Sequence, residues 1–372
     1  MVEFEFSPRF PEKTVCAPGT VSRLPEFVGE GSGPVLVVSD RGLARLGLPE
    51  RIQAVLEGAG RRVTLFADLA GEPTLADLEA CRIQAEQAGA QAVVGLGGGS
   101  VMDTAKAVAA LVGSGQETGA VLGTDLVARR SLPLVLVPTT AGTGAEATPN
   151  ALFIDAARRR KVAIVSIHLL PDVALLDASL TLGLPAAVTA ATGLDALTHA
   201  VESYLSRRAN PVSQALSAGA VALAAGALDR AVAHGEDLGA RSAMLSASFL
   251  GGTALTIAGT GAVHALAYSL GSRGVPHGVA NGLLLPYVMR FNAPACEAEL
   301  AQLSAVVGQD VLDWLAALVQ RMPIPHTLAD LQIAATEIPA MAEESLEHTR
   351  LLKNNPREWS AETARAVLEQ VR

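Results

Sequence analysis

The chain has 372 residues, half of them apolar, and a formal net charge of −9. Single cores seldom grow beyond roughly 250–300 residues, so this length implies about two domains. The acidic balance excludes a surface built to neutralise phosphate backbones, and nucleic acid is therefore not an expected partner. Cys16, Cys81 and Cys296 are far apart and not in CxxC spacing, which fits a reducing cytoplasm and no disulfide framework. The opening MVEFEFSPRF carries acidic residues and proline where a secretory signal needs a basic start and an apolar run.

In chain order, nearly continuous apolar runs at 34–40 (PVLVVSD), 62–68 (RVTLFAD), 92–98 (AVVGLGG) and 133–140 (PLVLVPTT) alternate with amphipathic segments near 41–58, 74–88 and 100–113. This β-α-β-α order predicts a parallel sheet covered on both faces. ALFIDAARRRKVAIVS predicts a hairpin whose turn holds Arg158, Arg159, Arg160 and Lys161, a basic run too short to form a groove. A last strand is expected at 172–177, and from Thr181 onward the sequence is Ala- and Leu-rich with helical periodicity. The boundary falls near 178–185, where Pro185 suits a helix start. An α/β domain over residues 1–180 and an all-helical domain over 181–372 follow, with a cleft expected between them. Residues 242–263 lack charge over a length able to span a bilayer. Their Ser, Thr and Gly content and the adjoining His264 favour instead one buried helix of a soluble bundle, and no membrane partner is expected.

GLGGGSVMDTAKAVAALV follows an expected strand and opens an expected helix, with Val101, Ala105, Val108 and Val112 on its buried face. Ser100 and Asp103 stand at capping-box spacing, which predicts a helix beginning at Ser100. Gly97, Gly98 and Gly99 let the backbone approach a phosphate at that helix N-terminus, although a tight turn with no ligand accounts for the same residues. The spacing is not GxGxxG, so the motif alone names no cofactor. Asp40, at the end of the first full strand, suits a ribose 2′-hydroxyl and favours NAD. Arg41 beside it leaves NADP open, and a helix cap is an equal use for the carboxylate. PTTAGTGAEATPN sets Thr139, Thr140 and Thr143 at the same end of the sheet.

In ATGLDALTHAVESYLS, Asp195 and His199 lie one helical turn apart on one face. Alone, the pair fits a helix-surface hydrogen bond equally well. His264 and His277 then add two imidazoles in apolar surroundings, the second inside the rigid turn GVPHG. Buried polar groups need partners, and three imidazoles with one carboxylate find one most simply in Fe(II), Zn(II) or another borderline cation. His168, His234, His326 and His348 have no such context and are read as ordinary turn or surface residues.

Taken together, GLGGGSVMDTAKAVA, PTTAGTGAEATPN, GLDALTHAVESY, HALAYSLG and PHGVANGLLLPYVMRFN resemble the iron-containing (group III) alcohol dehydrogenases in order and spacing, from FSPR near the start to LLKNNPR near the end. The resemblance implies a dehydroquinate synthase-like architecture: a Rossmann-like dinucleotide-binding domain, an all-α metal-binding domain, and assembly as a homodimer or higher homo-oligomer. It places the metal ligands on Asp195, His199, His264 and His277, and the pyrophosphate turn on Gly97, Gly98, Gly99, Ser100 and Asp103. Thr139, Thr140 and Thr143 fall on the nicotinamide side, Asn150 and Lys161 line the cofactor site, and Asp40 matches the adenosine ribose. Two positions depart from the pattern: Glu72 stands where many members have asparagine, and Tyr268 where many have a second histidine after the third ligand.

The implied activity is hydride transfer between a primary or small alcohol, bound to Fe(II) or Zn(II), and NAD(P), with Tyr268 as a catalytic-site wall or hydrogen-bond donor. The alternative on the same fold is a hydroxyacid-oxoacid transhydrogenase or maleylacetate-type reductase, which requires a cation for the substrate carboxylate; Arg273 stands near the ligands, without a cluster. A dehydroquinate synthase-like lyase would need several lysines, and the chain has only Lys13, Lys106, Lys161 and Lys353.

Overall fold

The computed structural model describes residues 9–29, 33–158 and 160–372. Most of the opening MVEFEFSPRF, including three residues of FSPR, and Arg159 of the basic turn lie outside the described residues. Two units form: residues 9–140 with 145–181, and residues 182–372 with 141–144.

The first unit is built on a six-stranded sheet of β1 (Lys13–Cys16), β2 (Val35–Asp40), β3 (Val63–Leu69), β4 (Ala92–Gly97), β6 (Leu134–Pro138) and β9 (Val173–Leu176), in the order β1-β9-β6-β4-β2-β3 with every pair parallel. Alternate side chains of a strand face opposite ways. Leu36, Val38, Val93 and Leu136 thus enter one core and Val35, Val37, Val94 and Val137 the other, so both faces are buried and the strands read as unbroken apolar runs. Helices α3 (Leu75–Ala88) and α4 (Gly99–Leu111) supply Leu78, Cys81, Val101 and Val108 to the first core, and α2 (Leu48–Gly58) supplies Ile52 and Leu56 to the second. A smaller sheet of β5 (Gly123–Thr124), β8 (Arg160–Val165) and β7 (Asn150–Asp155) contains the expected hairpin.

The amphipathic segment near 41–58 forms two helices: α1 (Arg41–Arg45) ends before Gly47, which takes a left-handed φ of 68° and restarts the chain into α2. β1 and β5 carry no run of apolar alternation long enough to read as strands.

The second unit comprises α5 (Ala186–Leu205), α6 (Pro211–Ala233), α7 (Leu238–Ala258), α8 (Ala262–Gly271), α9 (His277–Asn292), α10 (Glu297–Val307), α11 (Val311–Arg321), α12 (Ile338–Ser345), α13 (Thr349–Leu352) and α14 (Ala361–Gln370) around one apolar core. Pro185 caps α5 as its N-terminal neighbour, and Asn210 caps α6 through a capping box with Ser213. The charge-free stretch 242–263 is not a single helix. It breaks at Gly259, and α7 and α8 meet at 108°. Two asparagines from LLKNNPR hold the break: Asn354 Nδ2 donates to the Thr260 carbonyl at 3.0 Å, and Asn355 Oδ1 accepts from the Ala262 N–H at 3.2 Å.

Close helix approach depends on glycine at two places. A Cβ at Gly278 would collide with the carbonyl oxygen of Ala191, so only glycine lets the first turn of α9 lie on α5. Gly252 of α7 meets the strap 141–144, where a Cβ would stand 2.7 Å from the Gly144 carbonyl oxygen, and Gly144 itself has a φ of +58°. Gly278→Ala is expected to lower stability by about 1–3 kcal/mol, the usual range for overpacking. Thermal unfolding followed by circular dichroism measures it, and an unchanged melting temperature would show that α5 and α9 separate freely.

Candidate metal centre and dinucleotide cradle

The second unit brings the sequence-predicted ligands together. Asp195 and His199 project from α5, His264 from α8 one residue after the bend, and His277 from the first position of α9. Asp195 Oδ1 lies 3.8 Å from Nε2 of each of His199, His264 and His277. Asp195, His199 and His264 offer ligand atoms that all lie within 4.8 Å of one another, against about 3.4 Å between donors bonded at about 2.1 Å to one tetrahedral cation. Asp195, His199 and His264 are buried, whereas the His277 side chain is 30 % exposed and gives the centre its open side.

Protonation states favour ligation. Burial opposes charge on Asp195, but the imidazoles of His199, His277 and His264 and the Asn281 amide outweigh it and hold the carboxyl below its usual range. Burial pushes the His199 imidazole down, against the opposing pull of Asp195. Glu202, also on α5, accepts from His264 Nδ1 at 2.6 Å through Oε2 and from the Val263 N–H at 2.7 Å through Oε1. The proton therefore sits on Nδ1, and the Nε2 lone pair of His264 is left to face Asp195. Asn281 Nδ2 lies 2.7 Å from Asp195 Oδ1, 3.1 Å from His277 Nε2 and 3.2 Å from His264 Nε2.

Glu202 and Asn281 escape the sequence reading. Their positions held the signal, since Glu202 follows His199 by three residues and Asn281 follows His277 by four, each one helical turn along the ligand face. Tyr268 does stand at the centre, its ring stacked on His277 with centroids 5.6 Å apart. The half-buried His348, which follows a turn, sets its ring 4.6 Å from that of Tyr268.

In the first unit, Asp40 at the end of β2 and Gly97 at the end of β4 flank the point where the strand order reverses, since β3 and β4 lie on opposite sides of β2. Ligands of doubly wound sheets bind at such points. Helix α4 starts at Gly99 with Gly98 as its cap residue and no side-chain cap, so the first-turn N–H groups face outward unfilled by side chains. Thr139 donates its N–H to the Gly97 carbonyl, and Thr140 lies against Gly98. These atoms fit a pyrophosphate. Asp40 Oδ1 caps α1 through the Leu43 N–H, and Arg41 faces Asp68 at 3.7 Å.

Several expected cofactor residues have contacts within the chain. The capping box is absent: Ser100 lies inside α4, where its carbonyl accepts from Thr104 Oγ1. Asp103 is half-buried, with Oδ2 accepting from the Leu152 N–H and Oδ1 facing Lys106 Nζ at 3.3 Å. Lys106, fully buried, also donates to Thr148 Oγ1 and the Asn150 carbonyl, so Asp103 and Asn150 meet through it. Lys161 pairs with Glu72, the residue that departs from the family pattern. Thr143 belongs to the strap 141–144 of the other unit rather than to the turn carrying Thr139 and Thr140.

Two outcomes follow from these contacts. Glu202→Gln keeps the shape but offers one acceptor oxygen for two donors, so cation affinity should fall about 10–100-fold in a chelator competition, with helical content unchanged. Glu146, buried beside Lys106, has its carboxyl pushed up by burial to about 7 from an ordinary 4.5. Between those values the folded chain holds a proton that the unfolded chain has lost, so this group's stability contribution is full below 4.5 and declines as pH rises toward 7. Glu146→Gln should therefore gain in melting temperature relative to wild type as pH is raised across that range, and a difference independent of pH would contradict the assignment.

Comparison with known proteins matches both halves of the chain to one family. Residues 11–178 match the iron-containing alcohol dehydrogenase family model, and residues 189–371 match the C-terminal model of the Fe-containing alcohol dehydrogenase family. The chain is 38 % identical over 360 residues to the probable alcohol dehydrogenase EutG of Escherichia coli (strain K12), covering 95 % of this chain and 91 % of that one. The crystal structure of a 1,3-propanediol oxidoreductase superposes with a TM-score of 0.93 at 33 % identity, over 99 % of this chain and 100 % of the other. Sulfoacetaldehyde reductase from Bifidobacterium kashiwanohense, solved in complex with NAD+, gives a TM-score of 0.92 at 28 % identity, over 99 % of each chain. The chain is a member of the iron-containing alcohol dehydrogenase family, an oxidoreductase acting on CH–OH groups.

Proposed function

We propose that this enzyme interconverts a primary or otherwise small alcohol and its carbonyl product with NAD, using a cation held by Asp195, His199, His264 and His277. The observation that carries this reading is the convergence of three imidazole Nε2 atoms at 3.8 Å from one buried carboxylate oxygen. When bound, the cation supplies a Lewis acid that lowers the pKa of the substrate hydroxyl, and NAD supplies the hydride acceptor. The chain's own part is positional. Glu202 fixes the His264 tautomer, and the uncapped start of α4 with Gly97, Gly98 and Gly99 receives the pyrophosphate. Tyr268, stacked on the exposed ligand His277, walls the alcohol side. Asp40 near the adenosine ribose, with Arg41 turned to Asp68, supports NAD over NADP.

Substrates with a carboxylate are less well served. Arg273 is held by Glu337 at 2.8 Å and Glu344 at 2.7 Å, which opposes the transhydrogenase and maleylacetate-type alternatives. The reading includes residues 1–180 as the NAD-binding domain, residues 181–372 as the metal-binding domain, and a cytoplasmic homo-oligomer, as the family resemblance implies.

Protein loaded with Fe(II) or Zn(II) should reduce NAD with a short primary alcohol or diol, lose that activity to a chelator, and regain it on metal return. Asp195→Ala should cost about a hundredfold or more in turnover together with bound metal. Metal-loaded protein that turned over no primary alcohol, diol or hydroxyacid with NAD or NADP would overturn the reading.

A further inference from the structure

Asn281 stands at a position that the four donor atoms alone do not account for. Its side chain is fully buried, and its two amide hydrogens face three acceptors: Asp195 Oδ1 at 2.7 Å, His277 Nε2 at 3.1 Å and His264 Nε2 at 3.2 Å. Its Oδ1 is buried with no hydrogen-bond partner among the described residues. An amide in a polar pocket normally satisfies its oxygen. Here the nitrogen is oversubscribed and the oxygen is left over.

The acceptors differ in capacity. A carboxylate oxygen has two lone pairs and can accept from an amide while also ligating a cation. An imidazole Nε2 has one lone pair in the ring plane, and His264 Nε2 cannot give it to the Asn281 N–H and to a cation together. The Glu202 bond holds the proton on His264 Nδ1, so the tautomer offers no second acceptor. The same single lone pair limits His277 Nε2.

We propose that Asn281 is a positioning residue that competes with the cation: its amide holds the lone pairs of His264 and His277 converged beside Asp195, and cation entry requires it to surrender both while keeping Asp195. This rests on the reading of the four residues as metal ligands. The amide keeps a buried carboxylate and two imidazoles from standing against one another unpaired, which stabilises the protein before metal entry. It also sets a threshold that a weakly held ion does not pass.

The test uses the full-length protein stripped of metal by chelator and titrated with Co(II), whose visible absorption reports the ligand set. Asn281→Ala should melt at lower temperature without metal, yet bind Co(II) about fivefold or more tightly than wild type, because two hydrogen bonds no longer have to be given up. Its Co(II) spectrum should keep the wild-type band pattern, since the four ligands are unchanged. Asn281→Ser, small and still polar, is the second variant should the alanine protein fold poorly, and it should shift in the same sense. Unchanged or weaker Co(II) binding in both variants, with wild type binding normally, would overturn the proposal, and so would an altered spectrum, which would make Asn281 itself a ligand. Wild type that binds no Co(II) would instead refute the ligand assignment itself.

Discussion

A carboxylate removed from water is the constraint around which the helical unit is arranged. Asp195 is 3 % exposed, and burial alone would force it to keep its proton. The Asn281 amide donates to it at 2.7 Å, and three imidazole Nε2 atoms from α5, α8 and α9 lie 3.8 Å away. Glu202 in turn holds His264 in place. The surroundings of one buried oxygen atom thus draw on three helices.

Packing and electrostatics meet in the small residues. α9 can bring His277 to Asp195 because Gly278 presents no side chain to the Ala191 carbonyl, and α7 accepts the strap 141–144 because Gly252 presents none to Gly144. A side chain at either position would press on a backbone carbonyl oxygen, which has no room to yield in a close-packed interior.

The parallel sheet was legible because a strand buried on both faces is written as an unbroken apolar run, and the four donor residues because imidazoles are rare in an Ala-rich helical half. Less legible was whatever depends on contacts between distant segments. Asp103 carries capping-box spacing, yet its carboxylate turns inward to Lys106 and the Leu152 N–H, a choice made by a strand some fifty residues away. Lys161 is drawn off to Glu72 for a similar reason. The break at Gly259 was hidden by composition, since a charge-free stretch reads alike whether straight or bent. Asn281 was passed over because asparagine does not signal chemistry by itself; only the turn of α9 places it beside Asp195, His264 and His277.

The asparagines that hold the bend before α8 lie more than ninety residues downstream of it. A ribosome delivers the chain from its N-terminus, so Asp195, His199, His264 and His277 all emerge before the residues that fix the path of α8. The turn into α8 is therefore secured by a segment that follows all four of these side chains. A chain cut short before Asn354 carries all four side chains yet lacks the two hydrogen bonds that hold the bend ahead of His264.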